Sequence, residues 1–198
     1  INVNSGEMKT VAQNPGNITG WQTDHDGKLR IATTTDGVNT SVLYRDSEAQ
    51  EFKPLITTTF KETFAPLFFT FDNKNLYVSS NIGRDKAAIG EYDIANKSEI
   101  KVLYENPDYD VSGLSYSRKR KVITFVNYVG WKQEYHFFDK ESKEIYNDLT
   151  SKLTGKQLAI TGINKNEDKP QITQITRILK ILKINRGLRY RRQVSPFY

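Results

Sequence analysis

Three stretches of the chain share one pattern of apolar and polar residues: GWQTDHDGKLRIA at residues 20–32, LFFTFDNKNLYVS at 67–79 and GLSYSRKRKVITF at 113–125. They begin 47 and then 46 residues apart. Each has a short apolar segment, a polar turn and a second apolar or alternating segment, which is the pattern of a β-hairpin. A fourth copy begins as LAITGINKNEDK at residues 158–169. The chain is therefore predicted to consist of successive, similar β units.

The second half of each unit repeats as well. In each, a predicted strand leads into an aspartate, a polar turn and a short apolar strand. The aspartates are Asp46, Asp93 and Asp139, and the apolar pairs that follow are Phe52 with Leu55, Ile100 with Leu103, and Ile145 with Leu149. An aspartate suits this place because its carboxylate can accept backbone N–H bonds within the turn.

Four short strands in a repeat near 47 residues are typical of a β-propeller blade. We therefore predict an all-β fold, an incomplete β-propeller of about three to four four-stranded blades with an atypical basic C-terminal tail. Tandem βαβ units are disfavoured because no helical stretch is predicted between Ile18 and Lys156, and an unrelated β-sandwich would show no such repeat. The expected organisation is an N-terminal segment at 1–13, blades over 14–169 and the tail at 170–198. The blades are expected at 18–59, 64–110, 111–156 and, in part, 158–169.

The repeat also decides how to interpret Asp24, His25 and Asp26, which resemble a metal or acid/base cluster. These residues and Gly27 align with the turn Phe71-Asp72-Asn73-Lys74 of the next unit and with Ser117-Arg118-Lys119-Arg120 of the one after. Polar residues and glycine are what a hairpin turn requires. We predict a turn here, with no metal or cofactor site.

The net charge of +6 is concentrated in the tail. Residues 170–198 contain no acidic residue and seven basic ones: Arg177, Lys180, Lys183, Arg186, Arg189, Arg191 and Arg192. The rest of the chain is nearly neutral, so nucleic acid is not the expected partner. Ile172, Ile175, Ile178, Leu179 and Leu182 have helical spacing, which favours a basic amphipathic helix that binds an anionic surface. The alternative is a tail that does not belong to the natural fold, through a frame shift.

The sequence contains no catalytic motif. The segment GLSYS at residues 113–117 lacks the second glycine of G-x-S-x-G, so Ser115 is interpreted as structural, and His136 lies between aromatic residues of a predicted strand. There is no cysteine, P-loop or H-E-x-x-H motif. We predict no catalytic residue and no cofactor in this chain. The candidate contact residues are Asn81, Arg84 and Asp85 in one turn and Trp131 in another. Trp131 is a candidate because packing within the fold gives less reason for a large apolar side chain in a turn.

Closed propellers have about four to eight blades, so three blades and part of a fourth indicate a fragment. Unpaired terminal blades would favour self-association. No apolar run approaches the length of a membrane span. A cytoplasmic location is the first expectation. The start at Ile1 rather than Met leaves room for a missing upstream region, so an extracytoplasmic location is the alternative.

The segment NLYVSSNIGRDKAAIGEYDIANKSEIKVLYE at residues 75–105 resembles the propeller of the prolyl oligopeptidase (S9) family of serine peptidases, in its dipeptidyl-aminopeptidase and acylaminoacyl-peptidase branch. Its distinctive part is the turn Asn81-Ile82-Gly83-Arg84-Asp85 followed by a strand ending in Glu91-Tyr92-Asp93, and the resemblance covers roughly residues 14–169. It implies a propeller that covers an α/β-hydrolase domain with a Ser-Asp-His triad and limits access to peptides. That domain is absent here, so no catalytic residue can be assigned.

The sequence thus predicts a non-catalytic propeller segment of an S9-type serine peptidase. Its expected partners are the parent protein's α/β-hydrolase domain and peptide substrates, whose access it gates. The second hypothesis is an independent interaction module whose binding rim consists of the loops at residues 81–85 and 129–132. The third is an anionic-surface binder that acts through the basic tail.

Overall fold

The computed structural model of the chain describes residues 1–155, 157–164, 167 and 170–175. Thirteen strands and one helix occur in these residues. The chain divides into two compact units, Ile1–Lys143 and Glu144–Tyr198. Eleven strands belong to the first unit and two to the second, and the helix begins in the first and continues into the second.

The first unit contains three antiparallel sheets, each formed by strands that follow one another along the chain. Sheet A is β1 (Ile18–Thr23), β2 (Leu29–Thr35), β3 (Thr40–Tyr44) and β4 (Lys53–Thr58). Sheet B is β5 (Phe64–Phe69), β6 (Leu76–Ser80), β7 (Ala88–Asp93) and β8 (Ser98–Tyr104). Sheet C has three strands, β9 (Val111–Ser117), β10 (Val122–Val129) and β11 (Gln133–Phe137). The mainly β character that the repeat predicts is confirmed, as open antiparallel sheets.

Sheets A and B pack against each other through one apolar core. Its members are all less than a tenth exposed, and they alternate along the strands as a half-buried strand requires. They are Ile31, Val42 and Leu55 from sheet A, and Phe64, Phe69, Leu76, Val78, Tyr92 and Ile94 from sheet B and its edge. Because both sheets supply side chains to this core, neither can bury its apolar face alone.

A second core joins sheets B and C. Ile89 of β7, Val111 of β9 and Val126 of β10 are fully buried there. Leu67, Leu103, Tyr104, Leu114 and Tyr128 pack around them. Sheet B therefore presents one face to sheet A and the other to sheet C.

The predicted fourth strand of the third unit is wrong, because the structure has a helix, α1 (Lys140–Lys152), at this place. Asp139 acts as its N-cap, since the carboxylate oxygen Oδ2 accepts hydrogen bonds from the N–H (2.9 Å) and hydroxyl (2.6 Å) of Ser142. Ile145 and Leu149, spaced four apart, lie on one partly buried face of the helix. The equivalent Asp93 instead accepts the N–H of Asn96 in the β7–β8 hairpin.

The second unit contains a two-stranded antiparallel sheet of β12 (Gln157–Ile163) and β13 (Pro170–Ile175). In its register Ile160 lies opposite Ile172. The helix predicted for the tail is therefore wrong for these six residues, where the β-branched Ile172, Thr173 and Ile175 favour a strand. The rest of the predicted basic tail, residues 176–198, lies outside the described residues. Within the described part of the chain, no helix has the length and apolar character needed to cross a membrane.

Candidate functional site

The segment around His25 is a hairpin turn, as predicted. The Asp24 carboxylate oxygen Oδ1 accepts hydrogen bonds from the backbone N–H groups of Asp26 (3.0 Å) and Lys28 (2.9 Å). Gly27 has a positive φ of 78°, which glycine adopts without strain. The side chain of Asp24 is thus used to close the turn between β1 and β2.

The side chain of His25 binds the neighbouring sheet. Its Nε2 donates to the Phe69 carbonyl oxygen (2.8 Å), and its ring stacks on Phe71 with a centroid distance of 5.4 Å. The Asn73 side chain accepts the His25 backbone N–H (3.0 Å) and donates to Asp26 (3.0 Å). Over the residues that the structure describes, no group of three or more His, Asp or Glu side chains could hold a metal ion. These contacts make the turn a connection between sheets A and B.

The predicted alignment of the turns is wrong by one residue. The Asn73 N–H donates to the Thr70 carbonyl (2.8 Å) as the Gly27 N–H donates to the Asp24 carbonyl (3.1 Å), so Asp24 corresponds to Thr70 and not to Phe71. The second turn is one residue longer, since Thr70 pairs with Asn75 and Asp24 with Lys28. An insertion of this size leaves no trace in the apolar pattern.

Arg30 is a residue whose role the sequence did not indicate. Its guanidinium lies 3.5 Å from the buried Asp24 carboxylate, donates to the Asn73 carbonyl (3.1 Å) and lies 5.1 Å from the centre of the Phe69 ring. It also donates to the Tyr44 hydroxyl, which itself donates to Asp46 (2.6 Å). Burial and the bond to Asp46 raise the pKa of Tyr44. Arg30 therefore links sheet A to sheet B, beside a cavity of about 710 Å³.

Ser115 and His136 have the structural positions that were predicted. Ser115 lies inside β9 opposite Phe125 of β10, and not on a turn between a strand and a helix. The His136 ring stacks on Tyr104 (4.5 Å) and contacts the edge of Phe138 (5.2 Å).

The predicted contact residues of the 81–85 turn have different roles. The side chain of Asn81 accepts the Thr63 N–H (2.6 Å) and donates to the Lys61 carbonyl (3.2 Å), so it fastens the β4–β5 connection to the β6–β7 connection. Arg84 forms an ion pair with Glu99 of β8. The Asp85 side chain is 89% exposed and lies 3.2 Å from Lys86. Of the three, Asp85 is the one whose side chain is open to a partner.

Trp131 lies at the tip of the β10–β11 hairpin and is 87% exposed. Val129, two residues earlier, is 68% exposed. The tip is closed by a hydrogen bond from the Gly130 N–H to the Lys132 carbonyl (3.0 Å). An exposed tryptophan beside an exposed valine is unusual for a turn and typical of a contact surface.

The two predicted loops lie at the same end of the sheets. The Ala87 N–H donates to Asp110 (2.7 Å), and the Val111 N–H donates to the Ala87 carbonyl (2.8 Å), which joins the β6–β7 loop to the β8–β9 connection. From that connection, the Tyr109 ring lies against Gly130, where a Cβ would approach it to 3.0 Å. Tyr109 also stacks on Tyr128 of β10 (6.1 Å), and the hydrogen bond to Tyr104 raises the pKa of Tyr128 to about 12.

Two exposed residues of this end, Phe60 and Tyr109, were not singled out from the sequence. Phe60 is 79% exposed in the β4–β5 connection. The sequence around Phe60 does not predict its exposure, because an isolated aromatic residue between two strands is usually expected to lie in the core. Successive connections between antiparallel strands lie alternately at the two ends of a sheet. Counting the predicted strands would therefore have placed Phe60 at the same end as the 81–85 and 129–132 loops.

Comparison with known proteins identifies no relative of this chain, since no family model, curated protein or solved structure matches it.

Proposed function

We propose that this chain is a non-catalytic β-propeller segment of an S9-type serine peptidase, which gates peptide access to an α/β-hydrolase domain. The observation that supports it is the succession of antiparallel sheets, each built from consecutive strands and packed face to face on the next through a shared core. Propeller blades are sheets of this kind, repeated around a central axis. The Asn-Ile-Gly-Arg-Asp turn within sheet B adds the resemblance to this family.

The role proposed for the chain is steric. The Asp24 carboxylate closes a turn, the His25 imidazole bonds to the Phe69 carbonyl oxygen and stacks on Phe71, and the His136 ring stacks on Tyr104. A surface of stacked sheets instead restricts which peptides reach a neighbouring domain. Short or unfolded peptides would pass, and folded proteins would not.

Peptidase assays test this proposal. The purified chain is expected to show no turnover of short peptide substrates that a serine-directed inhibitor abolishes. Added to an S9-family hydrolase domain produced without its propeller, it is expected to slow hydrolysis of a long substrate more than that of a dipeptide derivative. Inhibitor-sensitive turnover by the chain alone would refute the proposal, and so would equal effects on the two substrates.

The second candidate function is an independent interaction module. It is favoured by the exposed Trp131 and Asp85, whose loops lie at one end of the sheets and contact the same connection. A cooperatively unfolding monomer that binds a protein other than a hydrolase domain would support this function over the first.

A further inference from the structure

Five segments at one end of the sheets of the first unit form what we call the hydrophobic end. They are the connections 36–39, 59–63, 81–87 and 105–110, and residues 129–132, which comprise the last residue of β10 and the β10–β11 turn. Each of them carries at least one exposed large apolar side chain. These side chains are Val38, Phe60, Ile82, Tyr109, Val129 and Trp131. An exposed apolar residue by itself is ordinary, but one in every connection at one end of three sheets is a pattern.

Direct contacts show that these connections are neighbours. Thr40, directly after the first connection, pairs with Thr58, directly before the second. The second is tied to the third by the Asn81 side chain, which binds the backbone of Thr63. The third is tied to the fourth by Ala87 and Asp110, and the fourth lies against Gly130 in the fifth. The six apolar side chains therefore belong to one continuous end of the first unit.

The turns at the other end are different in character. They span residues 24–28, 45–52, 70–75, 94–97 and 118–121, all of which the structure describes. None of these residues is an exposed large apolar one. Phe52 and Phe71 are partly buried there, against Arg45 and His25 respectively. Beyond these turns, the same end has Phe138, 40% exposed between β11 and α1, and Val122, 36% exposed at the start of β10. The exposed apolar groups of the connections are thus concentrated at the hydrophobic end, which packing within the sheets does not require.

The charges at the hydrophobic end identify the kind of partner. Its connections carry six carboxylates, Asp36, Glu62, Asp85, Glu105, Asp108 and Asp110, against four basic side chains, Lys61, Arg84, Lys86 and Lys132. Arg84 is already paired with Glu99 outside these connections. Hydrogen bonds from Asn39 and Val38 lower the pKa of Asp36 to about 2, which keeps that carboxylate charged. The apolar groups are therefore surrounded by net negative charge.

We propose that the hydrophobic end is a docking surface for a protein that presents apolar side chains ringed by lysine and arginine. Negative charge repels anionic lipid headgroups and nucleic acid. It also disfavours a second copy of the same end, because carboxylates would face carboxylates. This inference rests on the proposed function, in which the chain covers an α/β-hydrolase domain, but its test uses a peptide of this chemistry and needs no hydrolase domain.

The two tryptophans of the chain allow a direct test. In a Trp21→Phe background, Trp131 alone reports on the hydrophobic end. The probe is an amphipathic helical peptide made of leucine and lysine, and the comparison probes are the same peptide with glutamate in place of lysine and vesicles of phosphatidylglycerol. The expected result is a blue shift of Trp131 emission with the leucine–lysine peptide, at an affinity about tenfold or more above that for the glutamate peptide.

Variants of exposed residues locate the binding. Phe60→Ser with Val129→Ser is expected to weaken binding of the leucine–lysine peptide about tenfold or more, as loss of central apolar contacts does. Asp85→Lys with Asp108→Lys is expected to weaken it by a similar factor. The matched control is Ile100→Ser with Val102→Ser, which removes two exposed apolar side chains of β8, 51% and 40% exposed, and is expected to leave binding unchanged.

Four outcomes would overturn the inference. They are an absent Trp131 emission shift with the leucine–lysine peptide, equal affinity for the glutamate peptide, a Trp131 emission shift with the anionic vesicles, and a shift that depends on the concentration of the chain alone, which would indicate dimerisation. A control variant that loses as much affinity as the Phe60 and Val129 variant would also overturn it. None of these results depends on a hydrolase domain, so the proposed function is tested separately by the peptidase assays.

Discussion

Replacement of Phe69 by alanine is expected to destabilise sheets A and B together. Phe69 belongs to sheet B, is 1% exposed and contacts the core to which sheet A contributes Ile31, Val42 and Leu55. Phenylalanine-to-alanine changes in cores cost about 3–5 kcal/mol in the free energy of unfolding. The Arg30 guanidinium, 5.1 Å from the ring centre, loses its aromatic contact as well. That contact adds roughly 0.5–2 kcal/mol.

Urea unfolding followed by two probes measures this effect. With a urea dependence of about 1–3 kcal/mol per molar, a loss of about 4 kcal/mol moves the midpoint by roughly 2 M. Far-UV circular dichroism reports on all sheets, and Trp21 fluorescence in a Trp131→Phe background reports on sheet A. Both midpoints are expected to move by the same amount.

The matched control for this prediction is Phe60→Ala, since Phe60 is 79% exposed. It is expected to change the free energy of unfolding by less than about 0.5 kcal/mol. An unchanged Trp21 transition in the Phe69→Ala variant would refute the reasoning, because sheet A would then unfold independently of sheet B. A cost below about 1 kcal/mol would refute it as well, because core burial would then not hold the sheets together.

Two further predictions concern a helix cap and a turn. A hydrogen bond from the Arg120 side chain, which has the largest effect, and hydrogen bonds from Ser142 hold the pKa of the Asp139 carboxyl well below its ordinary 3.8. The stability that this carboxylate contributes is therefore present above about pH 4 and lost as the pH falls below it. The Asp139→Asn variant lacks this titration, so its melting temperature should decline less between about pH 5 and 3 than that of the unchanged chain. Equal declines in the two proteins would contradict the cap and ion pair. Asn73→Gly retains the turn, whose φ at Asn73 is 58°, but loses the bonds to His25 and Asp26. The Asn73→Gly variant should lose about 1–2 kcal/mol in the free energy of unfolding, measured with urea. Adding Asp26→Ala to this variant should cause no further loss. Additive losses would show that the Asn73 and Asp26 side chains do not interact.

The sequence predicted the β character of the chain because the apolar positions recur at a fixed interval. The segments around Leu29, Leu76 and Val122 all form second strands of their sheets. It also predicted that Asp24 and His25 form a turn, since turn chemistry is local and depends on a few neighbouring residues.

Helix α1 could not be predicted from the repeat. Ile145 and Leu149 occupy the place of an apolar strand pair, but their spacing of four fits a helix equally well. The difference lies in Asp139 and Ser142, which form an N-cap, and the same aspartate at position 93 serves a hairpin. A capping residue and a turn residue of the same type cannot be told apart by position in a repeat.

The candidate surface was predicted in part. Trp131 stood out because it is a large apolar residue in a turn, and the structure places it at an exposed hairpin tip. Asn81 and Arg84 were chosen for the same turn as Asp85, but their side chains bind Thr63 and Glu99. Such contacts join residues about 15 to 18 positions apart, and only the packed sheets bring them together.

Hydrogen–deuterium exchange on the chain, alone and with an S9-family hydrolase domain, tests the central claim that this is a docking segment. The account predicts slower exchange at residues 59–63, 81–87, 105–110 and 129–132 when the domain is present, and unchanged exchange at residues 24–28 and 70–75. Protection confined to the opposite turns, or no protection at all, would contradict it.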